Sequence, residues 1–289
     1  MNKALCVGIN NYPNSYNNLR GCVNDAFDWA KRLESFGFEV ELLLDDQATE
    51  RNILDKFEEL VSSEHSHVVF TYSGHGTQVR DTGGDELDGY DEALYVYGGI
   101  IQDDQLRTRL DNMHSTTKMT IVLDSCFSGT ATRAPMLEES TEITPRFVPV
   151  EIMPVNARRV KALLSDEDMV EVLISGCSDN EYSYDAYIND RWNGAMTAYA
   201  LYVLTKDQTY NEFYARLREL LPSTRYPQTP QLEGNSINKN EIVFFKVYTP
   251  EPEPEPEPSF NIWRWFDKYL KWVILGVIIS VVIIYYLTK

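Results

Sequence analysis

A chain of 289 residues with 43% hydrophobic content can bury one α/β core of about 250 residues plus an appendage, and is short for two full domains. Its net charge of −18 argues against a nucleic-acid partner, because phosphate binding needs a basic stripe, and suits a cationic partner or a divalent metal. Cys6, Cys22, Cys126 and Cys177 show no C-x-x-C spacing, so neither a zinc site nor a secreted disulfide framework is expected, and a reducing compartment is the simpler assumption.

Residues 1–10 carry no long apolar run after a basic start, so no signal peptide is expected there. From residue 1 to about 248, short β-rich runs alternate with amphipathic segments, the pattern of a sheet covered by helices. A first strand is expected at residues 3–9. Residues 24–36 place Ala26, Trp29, Ala30 and Leu33 on one helical face, and Gly37 stops that helix. A strand follows at 38–44. Thr49 then caps a helix whose Ile53, Leu54, Phe57 and Leu60 share a face, with Asn52 at the capping-box position. Further strands are expected at 68–72, 119–123 and 170–174; the last two lack alternation, as buried parallel strands do. A final strand is expected at 242–247. Between residues 130 and 168 periodicity is lost and Pro135, Pro145, Pro149 and Pro154 appear, which predicts a long mobile loop.

Residues 249–259 form a spacer in which Pro and Glu alternate, favouring extended polyproline II; nine such residues give roughly 28 Å of stiff chain. In the remaining segment, 260–289, residues 272–287 are apolar apart from Gly276, Ser280, Tyr285 and Tyr286. They would make about 24 Å of helix, enough for a thin bilayer. Trp263, Trp265, Tyr269 and Trp272 supply an aromatic belt. Arg264, Lys268 and Lys271 precede the span and only Lys289 follows it, so a single-pass C-terminal anchor with the large domain facing the cytosol is expected.

Two strand ends carry the candidate chemistry. Residues 68–73 run into Gly74-His75-Gly76, and residues 119–123 run into Asp124-Ser125-Cys126-Phe127-Ser128-Gly129. Ligands gather at the carboxyl ends of parallel strands, so both turns can face one crevice. A thiol of ordinary pKa is mostly protonated at neutral pH, and an adjacent imidazole raises its thiolate fraction or takes its proton. Cys126 as nucleophile and His75 as base therefore form a candidate dyad, with the amides of Gly76 and Cys126 as oxyanion donors. Alone, such a histidine could be a local hydrogen-bonding residue and such a cysteine a packed thiol. Their separation of 51 residues matches the caspase spacing.

These two motifs resemble the catalytic motifs of metacaspases and orthocaspases. Further similarities are Gly8-Ile9-Asn10-Asn11-Tyr12, Leu19-Arg20-Gly21-Cys22-Val23-Asn24-Asp25-Ala26, Gly83-Gly84-Asp85-Glu86, Leu173-Ile174-Ser175-Gly176-Cys177 and Asn193-Gly194-Ala195-Met196-Thr197, spread over residues 3–247. The Q-A-C of caspases proper is absent. The resemblance implies a caspase-like α/β fold, with a mostly parallel six-stranded sheet flanked by helices. It implies a cysteine endopeptidase that needs no cofactor for its chemistry. It also puts Asp25 and Asp124 in the primary specificity pocket, implying cleavage of protein or peptide substrates after Arg or Lys, a preference that paired carboxylates would serve.

The acids between Asp81 and Asp104 could form a solvated loop or hold calcium. By resemblance, Asp91, Asp103 and Asp104 match ligands of an activating calcium site, while Arg133 stands where the family has a further Asp. In the long loop, Arg133, Arg146, Arg158, Arg159 and Lys161 are candidate self-cleavage positions. The rival expectations are a catalytically silent scaffold of the same fold, a legumain-type membrane transamidase, and a calcium-binding signalling module.

Overall fold

A computed structural model describes residues 1–80, 90–127, 143–149, 166–178 and 181–244, with isolated positions 270, 274, 284, 285 and 287. The chain divides into two compact units, Met1–Val247 and Tyr248–Lys289.

The first half of the larger unit runs β1 (Asn2–Gly8), α1 (Cys22–Ser35), β2 (Phe38–Leu44), α2 (Glu50–Ser62), β3 (His67–Ser73), β4 (His75–Arg80), β5 (Tyr90–Val96), β6 (Gly99–Gln102) and α3 (Asp103–Leu110). It continues through β7 (Lys118–Asp124), β8 (Ile143–Pro145), β9 (Glu171–Ser175), β10 (Tyr184–Ile188), β11 (Arg191–Gly194), α4 (Ala195–Val203), α5 (Tyr210–Arg218), β12 (Gln231–Glu233) and α6 (Ser236–Lys239). Six strands form the central sheet in the order β12-β9-β7-β3-β1-β2. All neighbours pair in parallel except β12, which runs antiparallel to β9. This is the mixed, mostly parallel caspase-like sheet with helices on both faces.

The two faces follow from alternation within each buried strand. Ala4, Cys6, Val69, Val122 and Ile174 point into one apolar cluster with Trp29, Ala30 and Leu33 of α1 and Phe213 and Leu217 of α5. Leu5, Val7, Val68, Phe70, Ile121 and Leu123 point into the other, with Ile53, Phe57 and Leu60 of α2 and Leu106 and Leu110 of α3. Gly37 ends α1 at φ +87, a conformation that costs a residue without a Cβ little. The Thr49 side chain accepts the Asn52 amide and opens α2.

Two expectations are corrected. No strand forms over the described part of 242–247: Ile242 makes only an isolated bridge to Thr209. The sixth strand is instead β12, three residues between Pro230 and Gly234, too short for alternation to reveal. The 130–168 connection is not wholly irregular either, since residues 143–145 are β8, paired antiparallel with β10. In the smaller unit, the described positions Leu270, Ile274, Ile284, Tyr285 and Leu287 are helical and exposed. Most of the expected membrane span, 272–287, lies outside the described residues; among these no helix is long and apolar enough to cross a membrane.

Close approach of α1 to β1 sets where the first turn of α1 stands. A Cβ on Gly8 would lie 2.4 Å from the Cys22 carbonyl oxygen and 2.8 Å from the Ala26 Cβ. Gly8→Ala is therefore expected to lower stability by about 1–3 kcal/mol, seen as a lower denaturant midpoint. An unchanged midpoint would show that this contact does not position α1.

Candidate active site

The register Ser73↔Asp124 sets the carboxyl ends of β3 and β7 side by side, and Gly8↔Ser73 brings in the end of β1. The start of α1 is fastened over this edge from outside the helix. The Asn10 Oδ1 accepts the amides of Cys22 and Val23, and the Asp185 carboxylate accepts those of Arg20 and Gly21 at 2.9 Å each. Asp25, in the first turn, thereby meets Asp124 from β7 and Asp185 from β10.

These three carboxylates enclose the guanidinium of Arg146, which has no solvent exposure (0%), as have Asp25 and Asp185, with Asp124 at 1%. Its Nη2 donates to Asp25 Oδ2 at 2.7 Å and to Asp185 Oδ1 at 2.9 Å. Its Nη1 donates to Ser73 Oγ at 2.8 Å and to the Asp124 carbonyl at 3.0 Å, and lies 3.2 Å from Asp124 Oδ1. One cation among three acids leaves an excess of negative charge, which neighbouring donors offset. Asp25 accepts from the Ser73 hydroxyl, the Asn193 amide group and the Gly194 amide. Asp124 accepts from the Ser183 hydroxyl and the Thr197 amide. Gly194 is needed for room, because a Cβ there would lie 2.1 Å from Asp124 Oδ2 and 2.4 Å from Arg146 Nη1. Burial pushes the Asp25 carboxyl up to about 6; Arg146 opposes that rise and Asp124 adds to it.

The backbone of residues 143–149 lies across the same strand ends. The Arg146 carbonyl oxygen accepts the Gly76 amide at 3.0 Å and the Cys126 amide at 3.3 Å. Its own amide donates to Ser183 O at 2.9 Å, and the Val148 amide donates to Gly76 O at 3.1 Å. Here again a glycine permits close approach: a Cβ on Gly76 would overlap the Cys126 carbonyl. Two converging amides on one carbonyl oxygen are what a tetrahedral oxyanion requires.

His75 and Cys126 flank that carbonyl. His75 is 4% exposed, and its Nε2 lies 2.8 Å from the Asn17 carbonyl, so Nε2 bears the hydrogen. Nδ1 is buried and has no hydrogen-bond partner among the described residues, leaving an acceptor lone pair. Burial pushes His75 down to about 4; the Asn17 bond opposes the fall, the Arg146 charge deepens it, and the Arg146 carbonyl opposes it more weakly. The Cys126 thiol is fully buried, donates to Ser183 O at 3.3 Å and accepts the Ser183 amide. The arrangement can therefore place a thiol, a neutral base and an oxyanion cradle around one peptide bond.

Of the residues singled out by sequence, Asp25, His75, Gly76, Asp124, Cys126 and Arg146 share this one site. Asp103 and Asp104 instead open α3, where acids complement the helix dipole, and Asp103 is exposed. Asp91 is on β5, its side chain outside the described residues, and the described residues hold no group of three acidic, His or Cys side chains fit for a metal. Arg133, Arg158, Arg159 and Lys161 lie outside the described residues. Sequence reasoning missed Ser73, Asp185, Ser183 and the Asn17 carbonyl. Asp185 falls between Tyr184 and Ala186, where alternation suggests an outward-facing polar residue; Asn17 acts through its backbone and leaves no side-chain signal.

Comparison with known proteins gives consistent relatives. The Caspase domain family of peptidases matches residues 1–241. The chain is 31% identical to Metacaspase-1 of Meyerozyma guilliermondii, covering 81% of this chain and 69% of that protein. It is 31% identical to Metacaspase-1 of Schizosaccharomyces pombe, covering 80% and 66%, and 32% identical to Metacaspase-1A of Aspergillus oryzae, covering 80% and 67%. It thus spans about two thirds of these relatives' lengths. A crystal structure of a Geobacter sulfurreducens protein superposes with a TM-score of 0.68 at 28% identity, covering 84% of this chain and 98% of that one.

The depressed His75 value has a definite sign. Protonation is disfavoured in the folded state, so the contribution to stability is present above about 6.5 and is lost as pH falls through about 4. Imidazole nitrogen shifts of the full chain are expected to show His75 as the neutral Nε2–H tautomer at pH 5.5. A protonated His75 at that pH would contradict the geometry.

Proposed function

The chain belongs to the caspase-domain family of cysteine peptidases, with metacaspases among its relatives, and on that premise we propose that it cuts after arginine, its own Arg146–Phe147 bond first. The observation that carries this reading is the pose of Arg146: side chain sealed among three carboxylates, carbonyl oxygen between the Gly76 and Cys126 amides.

Cys126 Sγ attacks the Arg146 carbonyl carbon while His75 Nδ1 takes the thiol proton, and the two amides hold the oxyanion. Collapse breaks the bond to the Phe147 nitrogen, which leaves as an amine with the proton from His75. Water, deprotonated by His75, then hydrolyses the thioester and frees Cys126. The Asn17 carbonyl keeps the imidazole oriented throughout. Of the five basic residues in the long connection, Arg146 is the one whose described position supports self-cleavage.

Arginine is favoured over lysine because the two η nitrogens bond to different walls of the pocket, Nη2 to Asp25 and Asp185, Nη1 to Ser73 and Asp124. An ammonium is a single point on a shorter stem and leaves one wall unpaired. Calcium enters the proposal only as an activator, drawing on Asp91, Asp103 and Asp104; the donor type suits a hard cation, and no step of hydrolysis passes through it. The apolar run at 272–287 and the basic residues before it support C-terminal membrane attachment with the peptidase unit in the cytosol. Such tethering would concentrate the enzyme against local targets, as in regulated cleavage during stress or cell death.

The purified full chain is expected to yield fragments with new ends at Arg146 and Phe147 by mass spectrometry. Cys126→Ala should stay intact, and Arg146→Lys should convert about tenfold more slowly or worse. Runs with calcium and with chelator, repeated on Asp103→Ala, read out the activator. Cleavage that persists in Cys126→Ala would remove self-processing, and failure to cut any Arg or Lys peptide would favour a silent scaffold.

The expected membrane attachment has its own measurement. The full chain should stay with membranes through alkaline carbonate extraction, whereas a chain ending at residue 259 should be released. Equal release of both would rule out the anchor.

A further inference from the structure

We propose that this peptidase also reads the residue after the cut bond, with Tyr182 lining a subsite for an aromatic or large apolar side chain there. The inference rests on Arg146–Phe147 occupying the cleft as a substrate does.

The exposure of the seated segment shows which positions the cleft can read. Before the cut, Thr144 and Pro145 are exposed; Arg146 is buried; after the cut, Phe147 and Val148 are half-buried. The Phe147 ring stands 6.2 Å from the Tyr182 ring, tilted by 51°, within the range of a favourable aromatic pair. Backbone bonding extends past the cut: Phe147 bridges Gly76, and the Val148 amide donates to Gly76 O at 3.1 Å. Any chain held by this ladder presents its residue after arginine to the same side, because alternation along an extended strand fixes which face each side chain takes.

Tyr182 is itself held in place by its successor. Ser183 accepts the Arg146 amide and donates to and accepts from Cys126, so the residue beside the tyrosine is pinned to both substrate and nucleophile. An acid at the position after the cut would face an aromatic wall in a cleft that already holds Asp25, Asp124 and Asp185. The cleft thus selects against aspartate there as well as for phenylalanine.

The test uses quenched fluorescent peptides of the seated sequence, Ile-Thr-Pro-Arg-Xaa-Val-Pro, with Phe, Ala or Asp at Xaa, cleaved by the full chain. The kcat/KM for Phe should exceed that for Ala by about three- to tenfold, with Asp lowest. Replacing the Thr and Pro before arginine by Ala should change it by less than about twofold, as their exposure requires. In Tyr182→Ala the ratio of Phe to Ala should fall within about twofold, and in Tyr182→Phe it should persist, since the ring is retained. Cleavage after arginine with a ratio near one in the native chain overturns the inference and leaves the arginine reading standing. A ratio that survives Tyr182→Ala overturns the role of Tyr182. If no arginine peptide is cut at all, the peptidase reading fails first and this inference with it.

Discussion

A guanidinium without solvent contact, shared among Asp25, Asp124 and Asp185, is the constraint around which the site is arranged. Three carboxylates cannot be buried together unless donors and a cation replace the water they lose. The donors come from every direction: the Ser73 and Ser183 hydroxyls, the Asn193 side chain, and the amides of Arg20, Gly21, Gly194 and Thr197. They orient the acids but bring no full positive charge. The pocket therefore keeps a demand for a cation that a planar, always protonated guanidinium meets well.

Arg146 engages the cleft through two separate sets of atoms. Its side chain answers the carboxylates, and its carbonyl oxygen answers the Gly76 and Cys126 amides. Close packing makes both possible, because Gly194 and Gly76 each stand where a methyl group would overlap pocket or backbone. His75 is separate from the pocket yet feels it: the Arg146 charge adds to the burial that keeps its imidazole neutral. A neutral imidazole with Nε2 tied to Asn17 is the form of histidine able to accept a thiol proton at Nδ1.

Local patterns were the most legible part of this protein. The apolar faces of α1 and α2, the Thr49 cap and the Gly37 stop are written within a few residues each, and the structure places them close to the expected bounds. The buried strands β3, β7 and β9 likewise follow from continuous apolar runs. Legibility failed where a segment owes its form to a distant partner. β12 has three residues and exists because β9 offers an open edge. β8 is only Ile143-Thr144-Pro145, ending in a proline, and it is a strand because β10 and the cleft hold it.

By itself the sequence determined which residue types could carry the chemistry and that they end neighbouring strands, because strand period, turn glycines and motif order are short-range properties. It also set out an acidic chain, a Pro-Glu spacer and an apolar tail, which are matters of composition. Only the tertiary structure decided that Arg146, rather than any other described cation, enters the acidic pocket, that Asp185 completes that pocket from 160 residues beyond Asp25, and that a backbone carbonyl orients His75. The physical reason is that burial and electrostatic field are sums over groups far apart in the chain, and no local pattern encodes such a sum.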